Sequence, residues 1–238
     1  VGFFDDILNV LRIGPGGGGL RMRHRFVLYA IIAIVVAWWF VVKLEWTTTR
    51  VPFIGPVDLG VWGFLVGATI LLIATVHAVN LTDGLDGLAG GTLLTAYGAY
   101  GAIAIIEGRF ELAALIGVLI GAMLAFLWFN IPPARFFMGD TGATSLGITL
   151  GTIALLTNAP LLLPIIGLPF VVEAGSALLQ MLSKRFRHGR KIFRSAPLHH
   201  HLEAIGWPEP KIVMRFWVIS GVAAVLGLVL FLLDRSIV

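Results

Sequence analysis

Long apolar stretches alternate with short polar breaks along this chain, and the stretches have the length of membrane crossings. A helix needs about 20 mostly apolar residues to cross the hydrocarbon of a bilayer. Runs of this kind occupy positions 26–42, 59–79, 87–106 and 112–131. Positions 141–183 then contain a single charged residue, Glu173. That stretch is too long for one crossing, and Asn158-Ala159-Pro160 divides it naturally into 141–157 and 161–183. A last run covers 216–233. The pattern predicts an all-α polytopic membrane protein of seven spans, forming a single transmembrane domain over 1–238. Pro164 and Pro169 should bend the sixth span, because each removes a backbone donor and crowds the preceding turn. Segment 44–58, with Thr47-Thr48-Thr49, Pro52, Gly55 and Pro56, reads as a short extended hairpin outside the membrane. Gly14-Pro15-Gly16-Gly17-Gly18-Gly19 reads as a flexible loop, and no internal repeat is visible.

An odd number of spans puts the two ends on opposite sides. One side then receives loops 1–25, 80–86, 132–140 and 184–215; the other receives 43–58, 107–111, 158–160 and the C-terminal tail. Thirteen Lys and Arg fall on the first side and four on the second, so the positive-inside rule places the first side in the cytoplasm. The pI near 9.9 is then mainly a topology signal, and no nucleic-acid partner is expected. Composition agrees: 58% of the 238 residues are hydrophobic and 13% charged, against about 25% charged in soluble domains. Mean hydropathy is +0.95. The absence of cysteine excludes disulfides, cysteine-held zinc and thiol nucleophiles. The chain opens on Val1-Gly2-Phe3-Phe4 without a methionine or a leader, which is expected of a piece of a longer protein.

Charged residues are scarce, so their placement carries information. Asp5-Asp6, the segment 80–87 (NLTDGLDG), the segment 137–140 (FMGD) and His199-His200-His201 all fall on the side assigned to the cytoplasm, although that side was chosen from Lys and Arg alone. Five carboxylates in three loops on a basic face suit a divalent cation, and magnesium takes one or two carboxylates with water and phosphate completing its shell. The surrounding Arg and Lys suit an anionic substrate. Together these point to phosphoryl chemistry, in which positioning and charge neutralisation do most of the catalysis. Plainer readings stay open for each group. Asp5-Asp6 could simply open a helix, Asp83-Gly84-Leu85-Asp86-Gly87 could be a turn with glycines at positive φ, and Asp140 could cap the next helix. Three adjacent histidines could be a solvated stretch, but neighbours on one helix or strand do not converge easily on one metal ion. Glu173, an acid inside a span, is either functional or bonded to a neighbouring helix.

The segments 80–89 (NLTDGLDGLA), 126–130 (FLWFN), 137–140 (FMGD), 192–203 (IFRSAPLHHHLE) and 206–210 (GWPEP) resemble the phospho-N-acetylmuramoyl-pentapeptide transferase family, from Val1 to about Asp234. The related transferases that load N-acetylglucosamine phosphate share the aspartate loops and differ in the histidine segment. The resemblance implies a ten-span fold, of which these seven would be the fourth to the tenth. It implies transfer of phospho-N-acetylmuramoyl-pentapeptide from its UDP conjugate to undecaprenyl phosphate, giving lipid I and UMP. The reaction would depend on Mg²⁺ and take place at the cytoplasmic face of the bacterial inner membrane. Asp140 would be the magnesium ligand. Asp5 would deprotonate the lipid phosphate or attack as a nucleophile, with Asp6 as its partner and His199 among the catalytic groups. Asp83, Gly84, Leu85 and Asp86 would bind the nucleotide side, Gly84 and Leu85 bordering uracil and Phe137 stacking on it. Asn80, Asn130, Gln180, His200 and His201 would complete the substrate site, and Arg25 stands where the family has a basic residue. The family usually has lysine where this chain has Asn9; Arg12, three residues on, could supply that charge. A homodimer is entertained, although nothing in the residues specifies an oligomeric state. Rival readings are the N-acetylglucosamine-phosphate transferase, a transporter, whose polar groups would gather at mid-membrane, and a non-catalytic lipid-binding protein.

Overall fold

The computed structural model describes residues 1–13 and 19–237, apart from the side chains of Met22 and Ile237. Most of the glycine run, residues 14–18, lies outside the described residues. The helices are α1 (Gly2–Val10), α2 (Met22–Lys43), α3 (Gly60–Thr82), α4 (Leu88–Ile106), α5 (Phe110–Asn130), α6 (Gly139–Leu156), α7 (Leu163–Ile166), α8 (Leu168–Phe186), α9 (Leu198–Ala204) and α10 (Glu209–Ile237). A short 3₁₀ turn, Pro160–Leu162, precedes α7. Strands β1 (Thr48–Val51) and β2 (Gly55–Asp58) pair antiparallel, Thr49 opposite Val57, and form the hairpin expected between the first two spans.

Among the described residues, five helices are long and apolar enough to cross a membrane: Arg23–Lys43, Gly60–Thr82, Leu88–Ile106, Phe110–Asn130 and Glu209–Ser236. A sixth crossing is available if Pro160–Ile166 and Leu168–Phe186 count as one broken span. These two pieces are bent by 82°, in the stretch where the prolines predict a bend. α6 is 18 residues long but carries Asp140 and a succession of Thr and Ser, which lowers its apolar character. Large apolar side chains face outward, Trp62 and Trp128 at 77% exposure, as a helix bundle surrounded by lipid requires. The protein is thus an all-helical polytopic membrane protein.

Two compact units make up the described chain: Val1–Asn80 with Met138–Leu162 and the last residues from Leu230, and Leu81–Phe137 with Leu163–Val229. In the first, Ala33, Ala37 and Phe40 of α2 pack on Phe64, Ala68 and Leu72 of α3 and Leu155 of α6. Small residues permit the approach: a Cβ on Gly147 would lie 3.0 Å from the Val76 backbone, and one on Gly151 3.0 Å from Leu72. The hairpin is tied to the end of α10 in this unit. Arg50 Nε donates to Asp234 at 2.5 Å, and the Phe53 N–H donates to the same carboxylate at 2.6 Å. In the second unit, Leu88, Ile212, Val213 and Phe216 form a core joined by Leu85, Leu198, Leu202, Trp207 and Trp217. Helix starts and one loop differ from what the pattern implies. α10 starts at Glu209, seven residues before the predicted span, and the histidines lie on the helix α9 inside the segment read as a loop.

Candidate active site

The polar residues singled out by the sequence fall into two clusters, one in each unit. The first is built on α1, the start of α2, the end of α3 and the start of α6. Asp5 is buried on α1, and its carboxylate accepts the Leu20 N–H at 2.6 Å and the Asn9 side-chain amide at 3.2 Å. The Arg25 guanidinium bridges two acids: one terminal nitrogen is paired with Asp5 and the other donates to Asp140 at 2.6 Å. Asn80 Nδ2 donates to the second oxygen of Asp140 at 2.6 Å. Asp6 does different work. It accepts the backbone N–H groups of Asp140 (3.2 Å) and Thr141 (2.9 Å) and the Thr141 hydroxyl (2.5 Å). The first N–H groups of a helix have no partner within it, so Asp6 caps α6 from another element and its charge matches the helix dipole there. Asp140 does not cap its own helix.

Two glycines let the cluster close. A Cβ on Gly2 would sit 2.3 Å from the Asp140 carbonyl oxygen, so α1 lies directly on the first turn of α6. Gly139, at φ +64°, would place a Cβ 3.1 Å from the Asp6 carboxylate, in a backbone region that favours glycine. Two carboxylates then share one guanidinium, and this splits their acidities. At Asp5, burial pushes the pKa up but is outweighed by hydrogen bonds from Asp140 and the Leu20 N–H and by the Arg25 charge, so the net shift is downward. At Asp140, burial and the neighbouring Asp5 outweigh Asn80 and Arg25, so the net shift is upward. The reference value in both cases is near 3.9.

This arrangement suits a magnesium ion. The donors are oxygens, and the carboxylates of Asp5 and Asp140 share the one guanidinium of Arg25, so negative charge exceeds positive charge. Among the described residues no group of three or more acids and histidines could hold a metal ion. Magnesium asks for less, one or two carboxylates with water and phosphate supplying the rest. Asp140 is the residue that would hold it.

Arg12 does not take the place of the missing lysine. α1 ends at Val10, and Arg12 lies exposed beyond its C-cap at φ +55°, off the helix face that the three-residue spacing assumed. Asn9 meets Asp5 as an amide, and Arg25 brings the cation.

The second cluster is built on the turn between α3 and α4, the end of α5, α8, α9 and the start of α10. Most of its polar side chains are engaged by backbone. Asp86 accepts the Ala134 N–H at 2.9 Å, and its own N–H donates to Glu209 at 2.7 Å. Asn130 accepts the Gly87 N–H at 3.0 Å and donates to the Phe136 carbonyl at 3.0 Å. Trp217 Nε1 donates to the Gly87 carbonyl at 3.0 Å. Gln180 accepts the N–H groups of Ile192 and Phe193 and donates to the Phe193 carbonyl, which holds the basic segment against α8. Gly87, at φ +76°, is the residue from which α4 starts. Leu85 packs into the apolar core, whereas Phe137 is 74% exposed and Asp83 half-buried.

The three histidines diverge, as successive residues on a helix must. His199 is buried and meets Glu173, His200 pairs with Glu203 at 2.7 Å, and His201 Nδ1 accepts the Arg194 N–H at 3.1 Å. Several of these partners were not anticipated. Thr141 and the Leu20 N–H, and likewise Glu209 and Trp217, meet residues far away in the chain, which spacing does not reveal. Glu173 was visible as an acid within a span, but its partner was not.

The fold and the two clusters define a polytopic helical membrane protein with an acid–guanidinium cluster fit for phosphate and a divalent cation. The family model for glycosyl transferase family 4 matches residues 1–158. The phospho-N-acetylmuramoyl-pentapeptide-transferase of Desulforudis audaxviator (strain MP104C) is 42% identical over 236 residues, covering 96% of this chain and 70% of the relative. The enzymes of the same name from Francisella tularensis subsp. novicida (strain U112) and Chloroflexus aggregans (strain MD-66 / DSM 9485) are 40% and 39% identical. They cover 96% and 99% of this chain and 68% and 67% of the relatives. The chain belongs to glycosyl transferase family 4 and, within it, to the phospho-N-acetylmuramoyl-pentapeptide-transferases.

Proposed function

We propose that this chain transfers phospho-N-acetylmuramoyl-pentapeptide from UDP to undecaprenyl phosphate, giving lipid I and UMP, at the cytoplasmic face of the bacterial inner membrane. The supporting observation is the pair Asp5 and Asp140 bridged by Arg25, with the two acidities driven apart. An oxygen of the lipid phosphate attacks the β-phosphorus of the nucleotide sugar. The new P–O bond joins the two lipid-linked phosphates, and the bond from the β-phosphorus to the oxygen of UMP breaks. Asp5, held ionised, faces the lipid phosphate as acceptor of its proton. Arg25 draws the phosphates in and offsets their charge. Asp6 keeps the first turn of α6, and therefore Asp140, in place. Asp140 would hold a magnesium ion, which would supply charge neutralisation at the pyrophosphate. The turn 83–87 and Phe137 serve the uridine, for which an exposed aromatic face is suited.

The orientation with its basic loops inside, and α6 as one of seven spans, belong to the same reading. Converting Asp140 to alanine in the full-length protein should abolish UMP release while the protein still folds. Unchanged release would remove Asp140 from the reaction.

A further inference from the structure

Glu173 is an acid that the reaction above does not use. It lies on α8, fully buried, and a single residue engages both of its oxygens. Oε1 accepts the backbone N–H of His199 at 3.2 Å, and Oε2 meets Nδ1 of the same residue at 2.8 Å. An ionised carboxylate can only accept, so this geometry puts the imidazole proton on Nδ1 and leaves Nε2 bare. Nε2 is itself buried and has no hydrogen-bond partner among the described residues. It points at Gly84. A Cβ built there would lie 2.3 Å from Nε2 and 2.9 Å from Cε1 of the ring. Gly84 is not among the residues at positive φ, so space and not backbone angle makes this position a glycine. The ring of His200, 4.1 Å away between centroids, lies beside it.

We infer that Glu173 is a positioning residue for nucleotide binding. It fixes the tautomer and the plane of His199, and His199 carries the turn 83–87 on its Nε2 edge. His199 thus acts through the turn and does not touch the reacting phosphates. The inference rests on the assignment of that turn to the nucleotide. The chain of contact runs from the buried acid on α8 to the buried histidine to Gly84. A change at one end therefore reaches the turn without altering any group in it.

The test uses Glu173→Gln in the full-length enzyme in detergent. Glutamine keeps one oxygen for the backbone N–H of His199 and presents its NH₂ to the ring, so the proton moves to Nε2 and meets Gly84. The expected result is a rise in KM for the UDP substrate of about tenfold with kcat changed much less, the size of one misplaced hydrogen bond. Gly84→Ala pushes the same contact from the other side and should raise the same KM. The double variant should show less than the product of the two effects, because both act on one contact. A fall in kcat at unchanged KM would place His199 at the reacting atoms and overturn the inference, and so would two effects that multiply. Nitrogen NMR of histidine-labelled protein, with His199 assigned by its loss in His199→Gln, reads the tautomer without any turnover. A bare Nε2 in the parent and a bare Nδ1 in Glu173→Gln are expected; a bare Nδ1 in the parent overturns the inference even if the assigned reaction is correct.

Discussion

The carboxylates of the first unit and the acids and amides of the second are used in opposite ways. In the first, Asp5 and Asp140 face each other across one guanidinium, with more negative charge than positive, and burial together with the neighbouring Asp5 shifts the Asp140 pKa upward. In the second, Asp86, Glu209, Asn130 and Gln180 meet backbone N–H groups, and Glu173 meets a histidine. The first arrangement is short of positive charge and gains from a cation. The second is nearly saturated and gains from nothing that would displace it. An acid near a membrane surface is therefore informative only once its partners are known: Asp6 and Asp140 lie in one cluster, yet one caps a helix and the other is available for chemistry.

The sharpest way to test this contrast is to neutralise one acid of each kind. Asp140→Asn should lower turnover by about 10²–10³-fold, the usual cost of losing one preorganised electrostatic group, whereas Asp86→Asn, which keeps an acceptor for the Ala134 N–H, should cost far less. Steady-state UMP release measures both, and equal losses would erase the distinction. Arg25→Ala removes the cation that bridges two acids, one of them buried. It should destabilise the protein by about 3–5 kcal/mol in thermal unfolding, because an uncompensated buried charge remains. Gln180→Leu strands two N–H groups and a carbonyl of the basic segment. It should cost about 1–3 kcal/mol and leave kcat nearly intact.

The two shifted acids also predict opposite pH dependences. Asp5 has its acidity lowered in the folded state, so its contribution is present above the unfolded value and fades as pH falls through the folded one. Asp140 is raised, so the folded state holds its proton more tightly. Its contribution is present at low pH and fades as pH rises through the folded value. Melting curves from acid to neutral pH, compared with those of Asp5→Asn and Asp140→Asn, should therefore change slope in opposite senses; a common sense would contradict the pairing. The smallest effect is expected for Asn9→Lys, which adds a second cation beside Asp5. It should deepen the acid-side loss of stability slightly, within about 1 kcal/mol for a partly exposed pair.

Much of the fold was legible because lipid imposes a simple rule: runs of about 20 apolar residues are helices. Six of the expected spans coincide with helices or with the broken pair α7–α8, the bend falls where Pro164 and Pro169 place it, and the hairpin lies between Lys43 and Gly60. α6 is helical across the remaining one, but its Thr and Ser fill hydrogen bonds to the preceding turn, and its apolar character falls below that of the others. Helix starts were less legible. Glu209-Pro210 opens α10 in a polar stretch, and the histidines join a helix of seven residues, both set by the packing of Leu198, Leu202, Ile212 and Val213 and not by periodicity. At the site, residue types pointed to the acids and the histidines, because charge is rare in such a chain. Partners were beyond reach: the link from Arg25 to Asp140 spans 115 positions, and that from Asp86 to Glu209 spans 123.

The most direct measurement is UMP release by the full-length protein in detergent with undecaprenyl phosphate and Mg²⁺, comparing UDP-N-acetylmuramoyl-pentapeptide with UDP-N-acetylglucosamine. Release from the first donor alone, lost in Asp140→Ala, is the predicted result. Release from the second alone, or release that survives Asp140→Ala, would contradict the account.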